Sequence, residues 1–274
     1  MDLLLLLKAA IMGIVEGITE FLPISSTGHL ILASELMNFG TKEKSDVFVI
    51  AIQMGAIAAV IYEYWARLWG AATGIFSGEP QGRRLGIGLI LASIPIVLIG
   101  LTFGQTVKEL LFNDIAIAIG LIVGGLIIIW IEKHPPQERV HEVEDLSVKD
   151  AIWIGLIQVL SLIPGTSRSG ATIIGAMFLG VSRKAATEFS FFLGIPVIIG
   201  AGLLDLYQSA HVFDGQQDWI VLATGIIVSF ISALLLIRAL VAYVAKRDFM
   251  IFAWYRIASG LVILLFAFTG WKLW

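Results

Sequence analysis

The sequence contains no cysteine among its 274 residues. This absence excludes disulfide bonds, cysteine nucleophiles and thiolate metal sites. Charged side chains are also scarce, at 14% of the residues against about 25% in soluble domains. Hydrophobic residues make up 58%, and the mean hydropathy is +0.93. The net charge of −3 and a pI near 5.8 argue against nucleic acid as a partner. The composition predicts an integral membrane protein with no nucleic-acid partner.

Six apolar segments are long enough to cross a membrane as helices, which takes about 20 residues each. They are 47–65, 85–103, 113–131, 186–206, 218–240 and 252–272. We therefore expect an all-α integral membrane protein built on about six transmembrane helices.

Two further hydrophobic regions are interrupted, and each of their pieces is too short to cross. In the first, the apolar residues 9–15 end at Glu16, and the apolar sequence restarts at 21–34, where Pro23 interrupts it. In the second, residues 151–163 end at Pro164 and the apolar sequence restarts at 171–181. Broken backbone at membrane depth is tolerated only where it is buried in protein or lines a wet cavity. Each region therefore predicts a re-entrant helical hairpin.

The two predicted hairpins resemble each other in sequence. Laying one on the other places Pro23 on Pro164 and Ser26 on Ser167. A matching interruption in both halves is typical of an inverted-topology repeat whose site lies at the repeat interface. We predict a single membrane domain (1–274) with a first repeat at about 1–131, an acidic linker loop at 132–150 and a second repeat at about 151–274.

Lysine and arginine are distributed unevenly over the loops of this arrangement. One side takes loops 66–84, 132–150, 182–185 and 241–251 and carries Arg67, Arg83, Arg84, Lys133, Arg139, Lys149, Arg183, Lys184, Lys246 and Arg247. The other side has only Lys8, Lys42, Lys44, Lys108 and Lys272. The side richer in basic residues is expected to be cytoplasmic. Both termini are then predicted to lie outside a bacterial cytoplasmic (inner) membrane.

The first hairpin carries the motif EGITEFLPISSTGH at residues 16–29. Glu16 and Glu20 are four residues apart and share one helix face. Two carboxylates inside an apolar segment need a cation, a shared proton or an arginine between them. Hard divalent cations such as Mg²⁺ and Ca²⁺ take oxygen ligands of this kind. We predict that Glu16 and Glu20 bind a metal or act in acid–base chemistry, the alternative being a solvated pair at the hairpin mouth.

Hydroxyls and an imidazole follow Pro23 in the same motif. Ser25, Ser26 and Thr27 are natural N-caps for the next helix, and capping alone is one interpretation of them. His29 lies three residues after Ser26, on the same side of that helix. A base within reach of a hydroxyl is the minimal arrangement for an activated nucleophile. The spacing predicts Ser26 as nucleophile and His29 as base, with Ser25 and Thr27 binding substrate; a structural histidine is the alternative.

The second hairpin breaks at PGTSRSG, residues 164–170. Glycines there allow tight turns and close approach of the backbone. The N-terminus of the following helix offers unpaired N–H groups to an anion, and Arg168 adds a planar fork suited to phosphate oxygens. The alternative is that Arg168 pairs with Glu16 or Glu20. The two interpretations are compatible if Arg168 pairs with a glutamate at rest and binds phosphate when the substrate arrives. The predicted substrate-binding residues of this break are Gly165, Thr166, Ser167, Ser169 and Gly170.

These two breaks together predict a site for a phosphorylated substrate with a lipid tail, because a soluble substrate would not need an intramembrane site. The alternative is a secondary transporter or flippase for an anionic substrate, since inverted repeats and broken helices are typical of transporters and fold does not fix function. A transporter would need Arg168 and the helix ends, but no hydroxyl–histidine pair.

The motifs EGITEFLPISSTGH and PGTSRSGAT, with GVSRKAATEFSFFLGIP downstream, resemble those of the bacterial undecaprenyl-diphosphate phosphatase family, also known as bacitracin-resistance proteins. The resemblance extends over essentially the full length. It implies hydrolysis of undecaprenyl diphosphate to undecaprenyl phosphate and inorganic phosphate, which recycles the lipid carrier for peptidoglycan. It also implies dependence on a divalent metal, six spans, two re-entrant loops and a site reached from the outer leaflet.

Carried over by position, the resemblance makes Glu16 and Glu20 metal-linked or acid–base carboxylates. Ser26 and His29 become candidate nucleophile and base, and Arg168 the phosphate clamp. The implied partners are undecaprenyl diphosphate and membrane lipid, and bacitracin acts on the same substrate. The sequence leaves the oligomeric state open, a homodimer included.

Overall fold

A computed structural model describes residues 2–111, 113–213 and 215–269. Within these ranges the regular structure is helical, apart from one isolated bridge between Val140 and Val181. The α-helices are α1 (Leu3–Thr19), α2 (Ser26–Met37), α3 (Lys42–Glu63), α4 (Trp65–Ser77), α5 (Pro80–Leu111), α6 (Asp114–Lys133), α7 (Val148–Gln158), α8 (Arg168–Phe178), α9 (Arg183–Ser209), α10 (Gln216–Val244) and α11 (Met250–Thr269). Short 3₁₀ turns occur at Val143–Asp145, Val159–Leu162 and Ala210–Val212.

Six of these helices are long and apolar enough to cross a membrane: α3, α5, α6, α9, α10 and α11. They coincide with the six predicted spans, so the prediction of an all-α, multi-pass membrane protein is confirmed. The end of the sixth predicted span and Lys272 lie outside the described residues.

The stretch 66–84 was predicted to be a loop, and that prediction is wrong. It holds helix α4 and the beginning of α5. Gly78, at φ 77°, ends α4 in the left-handed conformation that glycine adopts without strain, and Pro80 begins α5. A Cβ on Gly74 would lie only 2.7 Å from the Arg83 backbone nitrogen, so the absence of a side chain lets the two helices touch. At 13 residues α4 is too short to cross a membrane, and it packs against α5 instead.

Each predicted hairpin is observed as a helix, a break and a second helix: α1 with α2, and α7 with α8. The residue before each second helix is a serine at φ 71°, Ser25 in the first and Ser167 in the second. The sequence alignment placed Ser26 on Ser167, and that placement is wrong by one residue. The structural equivalent of Ser167 is Ser25. The second break is one residue longer after its proline, and Gly165 at φ 82° accommodates the extra residue. Re-entry into the membrane stays a prediction.

The two halves interlock through their hairpins. Helix α1 of the first half packs against α10 of the second, α7 of the second packs against α5 of the first, and α6 lies against α11. Glycines permit the close approach: a Cβ on Gly17 would lie 2.5 Å from the Ser229 carbonyl oxygen, and one on Gly155 would lie 2.8 Å from the Ala92 carbonyl carbon. Small residues at helix crossings are the usual means of tight packing in membranes. This exchange brings both breaks to the middle of the molecule; the repeat itself stays a prediction.

The acidic linker 132–150 is fixed to the helices on both of its sides. Arg139 donates from Nη1 to Asp150 at 3.0 Å, and its backbone N–H donates to the Gly180 carbonyl at 2.8 Å. Arg67 donates to both carboxylate oxygens of Glu144 at 2.6 and 2.8 Å. Burial alone would raise the pKa of Glu144, but the hydrogen bonds from Arg67 hold that pKa below its usual value. The linker is therefore bonded to the helices and turns around it, and it connects the ends of several helices on this side of the molecule.

Candidate active site

A cavity of about 230 Å³ lies where the two breaks meet. Residues of both breaks line it: Glu20, Ser25, Ser26, Thr27 and Gly28 from the first, and Pro164, Gly165, Ser167 and Arg168 from the second. Its apolar lining includes Ile96, Ile117, Leu162, Val197, Ile198 and Ala201. One cavity thus offers charged and hydroxyl groups beside aliphatic side chains, which suits an amphiphilic ligand.

The Glu20 carboxylate is held between a cation and a hydroxyl. Arg168 donates from Nη2 to Glu20 Oε1 at 2.7 Å, and Ser26 donates from Oγ to Glu20 Oε2 at 2.6 Å. The side chain of Glu20 is 7% exposed and that of Arg168 12% exposed. A charge-assisted network of this kind, in a largely water-excluded site, is stronger than the same contacts in water.

Residues of α8 and α9 fix the position of the Arg168 guanidinium. Nη1 donates to the Ser190 carbonyl at 2.7 Å, and the Ser190 hydroxyl is bonded to Thr172 at 2.7 Å. Gly194 leaves the space the fork occupies, since a Cβ there would lie 2.8 Å from Nη2. The buried Nε has no protein partner among the described residues. Arg168 therefore keeps one N–H available for a ligand even while it pairs with Glu20.

Glu16 lies one helical turn before Glu20 and is fully buried. Neither of its carboxylate oxygens has a hydrogen-bond partner in the described structure, and Glu16 is not among the residues lining the cavity. Gln158, at the C-terminal end of α7 in the second hairpin, is equally buried, and its amide atoms have no partner among the described residues. Buried polar atoms left without partners are costly, and they mark candidate positions for a bound ion, a water or a catalytic group.

A hard divalent cation fits this pair of carboxylates. No group of three or more acidic or histidine side chains arranged to hold a metal occurs within the described ranges. Mg²⁺, however, is commonly bound through one or two carboxylates together with the phosphate oxygens of a substrate. The two orphaned oxygens of Glu16, one turn from Glu20, supply that donor set.

The predicted pairing of Ser26 with His29 is not what the structure contains. The Ser26 hydroxyl bonds to Glu20, whereas His29 Nδ1 contacts the Ser25 carbonyl oxygen at 2.8 Å and Nε2 the Tyr255 hydroxyl at 2.5 Å. The two rings stack at 5.6 Å between centroids. Helical side chains lean towards the N-terminus, and here the contact with the carbonyl four residues earlier turns the ring to α11. The base within reach of Ser26 is Glu20.

The remaining predicted residues divide between lining and support. Ser25 is the N-cap of α2 by position, although its side chain makes no capping bond, and it lines the cavity with Thr27, Gly165 and Ser167. Ser169 donates to the Leu22 carbonyl at 2.9 Å and so ties the second break to the first. Thr166 and Gly170 line a neighbouring, more apolar cavity instead. Glu16, His29, Thr166, Ser169 and Gly170 are therefore absent from the lining of the central cavity.

Sequence reasoning missed Arg256, which lies inside the apolar helix α11 and is 1% exposed. Its N–H groups donate to the carbonyl oxygens of Pro23, Gly120, Leu121, Gly165 and Thr166 at 2.8 to 3.3 Å. The available signal was a lone arginine within a predicted span, because ionisable residues there are rare and usually functional. Gln53 of α3, which also lines the cavity, was missed as well and carried no comparable signal.

Comparison with known proteins identifies the family. Residues 9–262 match the family described as bacitracin resistance protein BacA. The chain belongs to the BacA family. The resemblance inferred from the two motifs is thereby confirmed.

Several proteins named as undecaprenyl-diphosphatases are similar to this BacA chain over nearly its whole length. Undecaprenyl-diphosphatase 1 of Acinetobacter baylyi is 82% identical over 274 residues, 100% of both chains. The undecaprenyl-diphosphatase of a Psychrobacter species is 60% identical over 97% of each chain. Undecaprenyl-diphosphatase 2 of Rhodospirillum rubrum is 53% identical over 100% of this chain and 99% of its own.

The Glu20–Arg168 pair predicts a strong effect on stability. Arg168→Met leaves a buried carboxylate without its cation and should lower the free energy of unfolding by about 3–5 kcal/mol. Adding Glu20→Gln should recover part of that loss, because the unpaired charge is then gone. The matched control is Arg238→Met, which breaks the pair between an exposed arginine and Glu63 and should change the free energy of unfolding little. Thermal unfolding in detergent measures all three, and equal losses in the single and double variants would contradict the pairing.

Proposed function

We propose that this protein hydrolyses undecaprenyl diphosphate to undecaprenyl phosphate and inorganic phosphate. The observation that carries the proposal is the Glu20 carboxylate held between the Arg168 guanidinium and the Ser26 hydroxyl, at the polar end of an amphiphilic cavity. The relatives named above support it, since each is named for this activity. Hydrolysis returns the lipid carrier to its monophosphate form for peptidoglycan synthesis. The transporter alternative is not favoured, because transport needs no hydroxyl–carboxylate pair.

The diphosphate is held mainly by electrostatics. Arg168 first contacts the diphosphate with its Nε–H, which has no protein partner among the described residues. Its Nη2, which donates to Glu20 in the absence of substrate, then moves to the diphosphate as well. The N-terminus of α8 contributes backbone N–H groups at the same wall of the cavity. Fixed donors in a water-excluded site stabilise developing charge on phosphoryl oxygens without reorganising, and in phosphoryl transfer this supplies most of the rate.

Ser26 attacks the terminal phosphorus. A bond forms between Ser26 Oγ and phosphorus, the bond from phosphorus to the bridging oxygen breaks, and undecaprenyl phosphate leaves. The Ser26 proton passes to Glu20, which accepts it at 2.6 Å in the resting structure. A carboxylate that loses a cationic partner becomes a stronger base, so movement of Arg168 from Glu20 to the substrate activates Ser26. Water then cleaves the phosphoserine and releases inorganic phosphate.

A direct attack by water is the competing mechanism. In it Ser26 only binds the phosphate, and His29 or Glu20 orients the water. The contact of His29 with Tyr255 supports Glu20 over His29 in either role, because the imidazole is turned to α11. Trapping a phosphoserine separates the two mechanisms.

Glu16 and Glu20 are the residues that would hold a divalent cation, Mg²⁺ or Ca²⁺. The cation would supply positive charge to neutralise the diphosphate oxygens when substrate is present. Glu16 suits this purpose better than Glu20, since both Glu16 oxygens lack protein partners while both Glu20 oxygens are engaged.

The protein lies in the bacterial cytoplasmic membrane with both termini outside, and substrate enters from the outer leaflet. The distribution of lysine and arginine over the loops supports this orientation. Membrane lipid surrounds the spans, and bacitracin, which acts on the same substrate, competes with the protein for it. Assembly into a homodimer is compatible with this arrangement.

Ser26→Ala should lower turnover on the order of 10⁴- to 10⁶-fold, the loss found when a hydrolase loses its nucleophile. The measurement is phosphate release from undecaprenyl diphosphate by purified protein in detergent. Ser93→Ala is the control, because that hydroxyl, as far as the described residues show, bonds to the Leu89 carbonyl of its own helix, and the change should leave turnover unaltered. Full activity in Ser26→Ala would favour attack by water. No phosphate release by the unaltered protein would refute the proposed function.

The two carboxylates should respond differently to added metal. Glu16→Gln removes a ligand, so turnover should fall and recover in part at high Mg²⁺ or Ca²⁺. Glu20→Gln should stay inactive at every metal concentration, because an amide cannot accept the Ser26 proton. Metal titrations of both variants after treatment with EDTA test this, and recovery of Glu20→Gln with metal would make Glu20 a ligand rather than the base.

Orientation can be measured directly, since the natural chain has no cysteine. A cysteine replacing Gln137, an exposed residue of the acidic linker, should react with membrane-impermeant maleimide only after the inner membrane is opened. A cysteine replacing exposed Lys42, on the opposite side, should react in intact spheroplasts. The reverse result would invert the proposed topology.

A further inference from the structure

Arg256 binds both breaks at once, although it comes from the last helix of the chain. We infer that Arg256 is a positioning residue for the diphosphate: it fixes carbonyl groups of both breaks, and through the Thr166 carbonyl it turns the Ser167 N–H towards the cavity. This inference rests on the proposed function. It assigns a role to a residue outside both sequence motifs and outside the cavity lining.

The fork of Arg256 matches the number of its acceptors. A guanidinium has five N–H donors in a fixed plane. Here Nε donates to Leu121, Nη1 donates to Pro23 and Thr166, and Nη2 donates to Gly120, Gly165 and also Thr166. Three of these carbonyls belong to the breaks and two to α6. One side chain thus fixes the first break, the second break and a span relative to one another.

Because the peptide bond is planar, the hydrogen bond from Arg256 to the Thr166 carbonyl also fixes the direction of the next N–H group. In a trans peptide the C=O and the following N–H point in opposite directions. Because the Thr166 carbonyl points at Arg256, the Ser167 N–H points away from Arg256. Ser167 lines the cavity, and it precedes α8, whose first N–H groups have no partner within the helix. Arg256 therefore acts on the substrate through the peptide that leads into α8.

The Arg256 guanidinium also carries a positive charge, and it makes no hydrogen bond to a carboxylate among the described residues. Every acceptor recorded for Arg256 in the described part of the chain is a backbone carbonyl. A charge in a poorly polarisable interior acts over longer distances than one in water. The cation on the far side of the second break thus favours an anion in the cavity. A lysine could not take its place, since an ammonium has three donors and no planar fork.

Two neighbouring glycines of α6 provide a matched test. A Cβ on Gly124 would overlap Arg256 Nη2 and lie 2.6 Å from Cζ, so Gly124→Ala displaces the fork without removing its charge. A Cβ on Gly125 would instead lie 2.8 Å from both the Ala253 carbonyl oxygen and Ile257 Cγ1. Gly125→Ala therefore strains the same contact between α6 and α11 while sparing the fork. Arg256→Lys keeps the charge and removes the geometry.

The readout is the dissociation constant of farnesyl methylenediphosphonate, a non-hydrolysable prenyl diphosphate mimic, measured by calorimetry on monodisperse protein in detergent. Binding constants do not depend on the fraction of protein that is active, and they remain measurable if the proposed hydrolysis fails. Gly124→Ala and Arg256→Lys should each weaken binding about tenfold or more, the range for a lost hydrogen bond to a charged group. Gly125→Ala should stay within about threefold of the unaltered protein.

Each outcome decides the inference. Unchanged affinity in Gly124→Ala and Arg256→Lys overturns it, and so does an equal loss in both glycine variants, which would reflect helix packing alone. Loss of monodispersity in Gly124→Ala and Arg256→Lys but not in Gly125→Ala also overturns it, because Arg256 would then hold the fold and not the ligand. Tight binding of the mimic by the unaltered protein, together with no phosphate release from undecaprenyl diphosphate, would refute the proposed hydrolysis and leave the role of Arg256 standing.

Discussion

The structure depends on one ion pair placed where water is largely absent. Glu20 and Arg168 are 148 residues apart in sequence and belong to different halves, yet they meet at 2.7 Å. Neither charge is tolerable at that depth alone, because an unpaired buried charge costs several kcal/mol. Each half of the chain therefore carries a group that only the other half can neutralise. Assembly of the two halves also forms the site, because Glu20, which pairs with Arg168 across the halves, accepts the hydrogen bond from Ser26 as well.

The interruptions in the helices impose a second requirement, which is to satisfy the backbone groups that they release. A helix end buried without partners is unfavourable, and lipid offers none. In a soluble loop, water would donate hydrogen bonds to these carbonyl groups. In this protein the Arg256 guanidinium donates hydrogen bonds to carbonyl groups of both breaks. Ser169 adds a bond from the second break to the first. Glycine at the crossings of α1 with α10 and α7 with α5 brings the surrounding helices close enough to close the site.

The sequence predicts those features that depend on local chemistry and misses those that depend on tertiary contacts. Spans follow from length and hydropathy, and breaks follow from proline and clustered hydroxyls, so both were predicted. Helical spacing puts Ser26 and His29 on one side but does not say which way the imidazole turns, and Tyr255 decides that from the far end of the chain. The one-residue error between the hairpins came from Gly165, whose left-handed conformation absorbs an extra residue. No local pattern reveals that the acceptors of Arg256 lie in three separate segments.

The size of the central cavity says how much of the substrate the protein recognises. Pockets that enclose a drug-sized ligand typically have volumes of about 300–1,000 Å³, and this one has about 230 Å³. An undecaprenyl chain cannot be enclosed in that space, whereas a diphosphate and the first carbons of the tail can. Under the proposed function, the rest of the lipid tail stays in the bilayer, and the substrate need not be extracted from it. Binding then consumes no free energy in moving the apolar tail out of the bilayer.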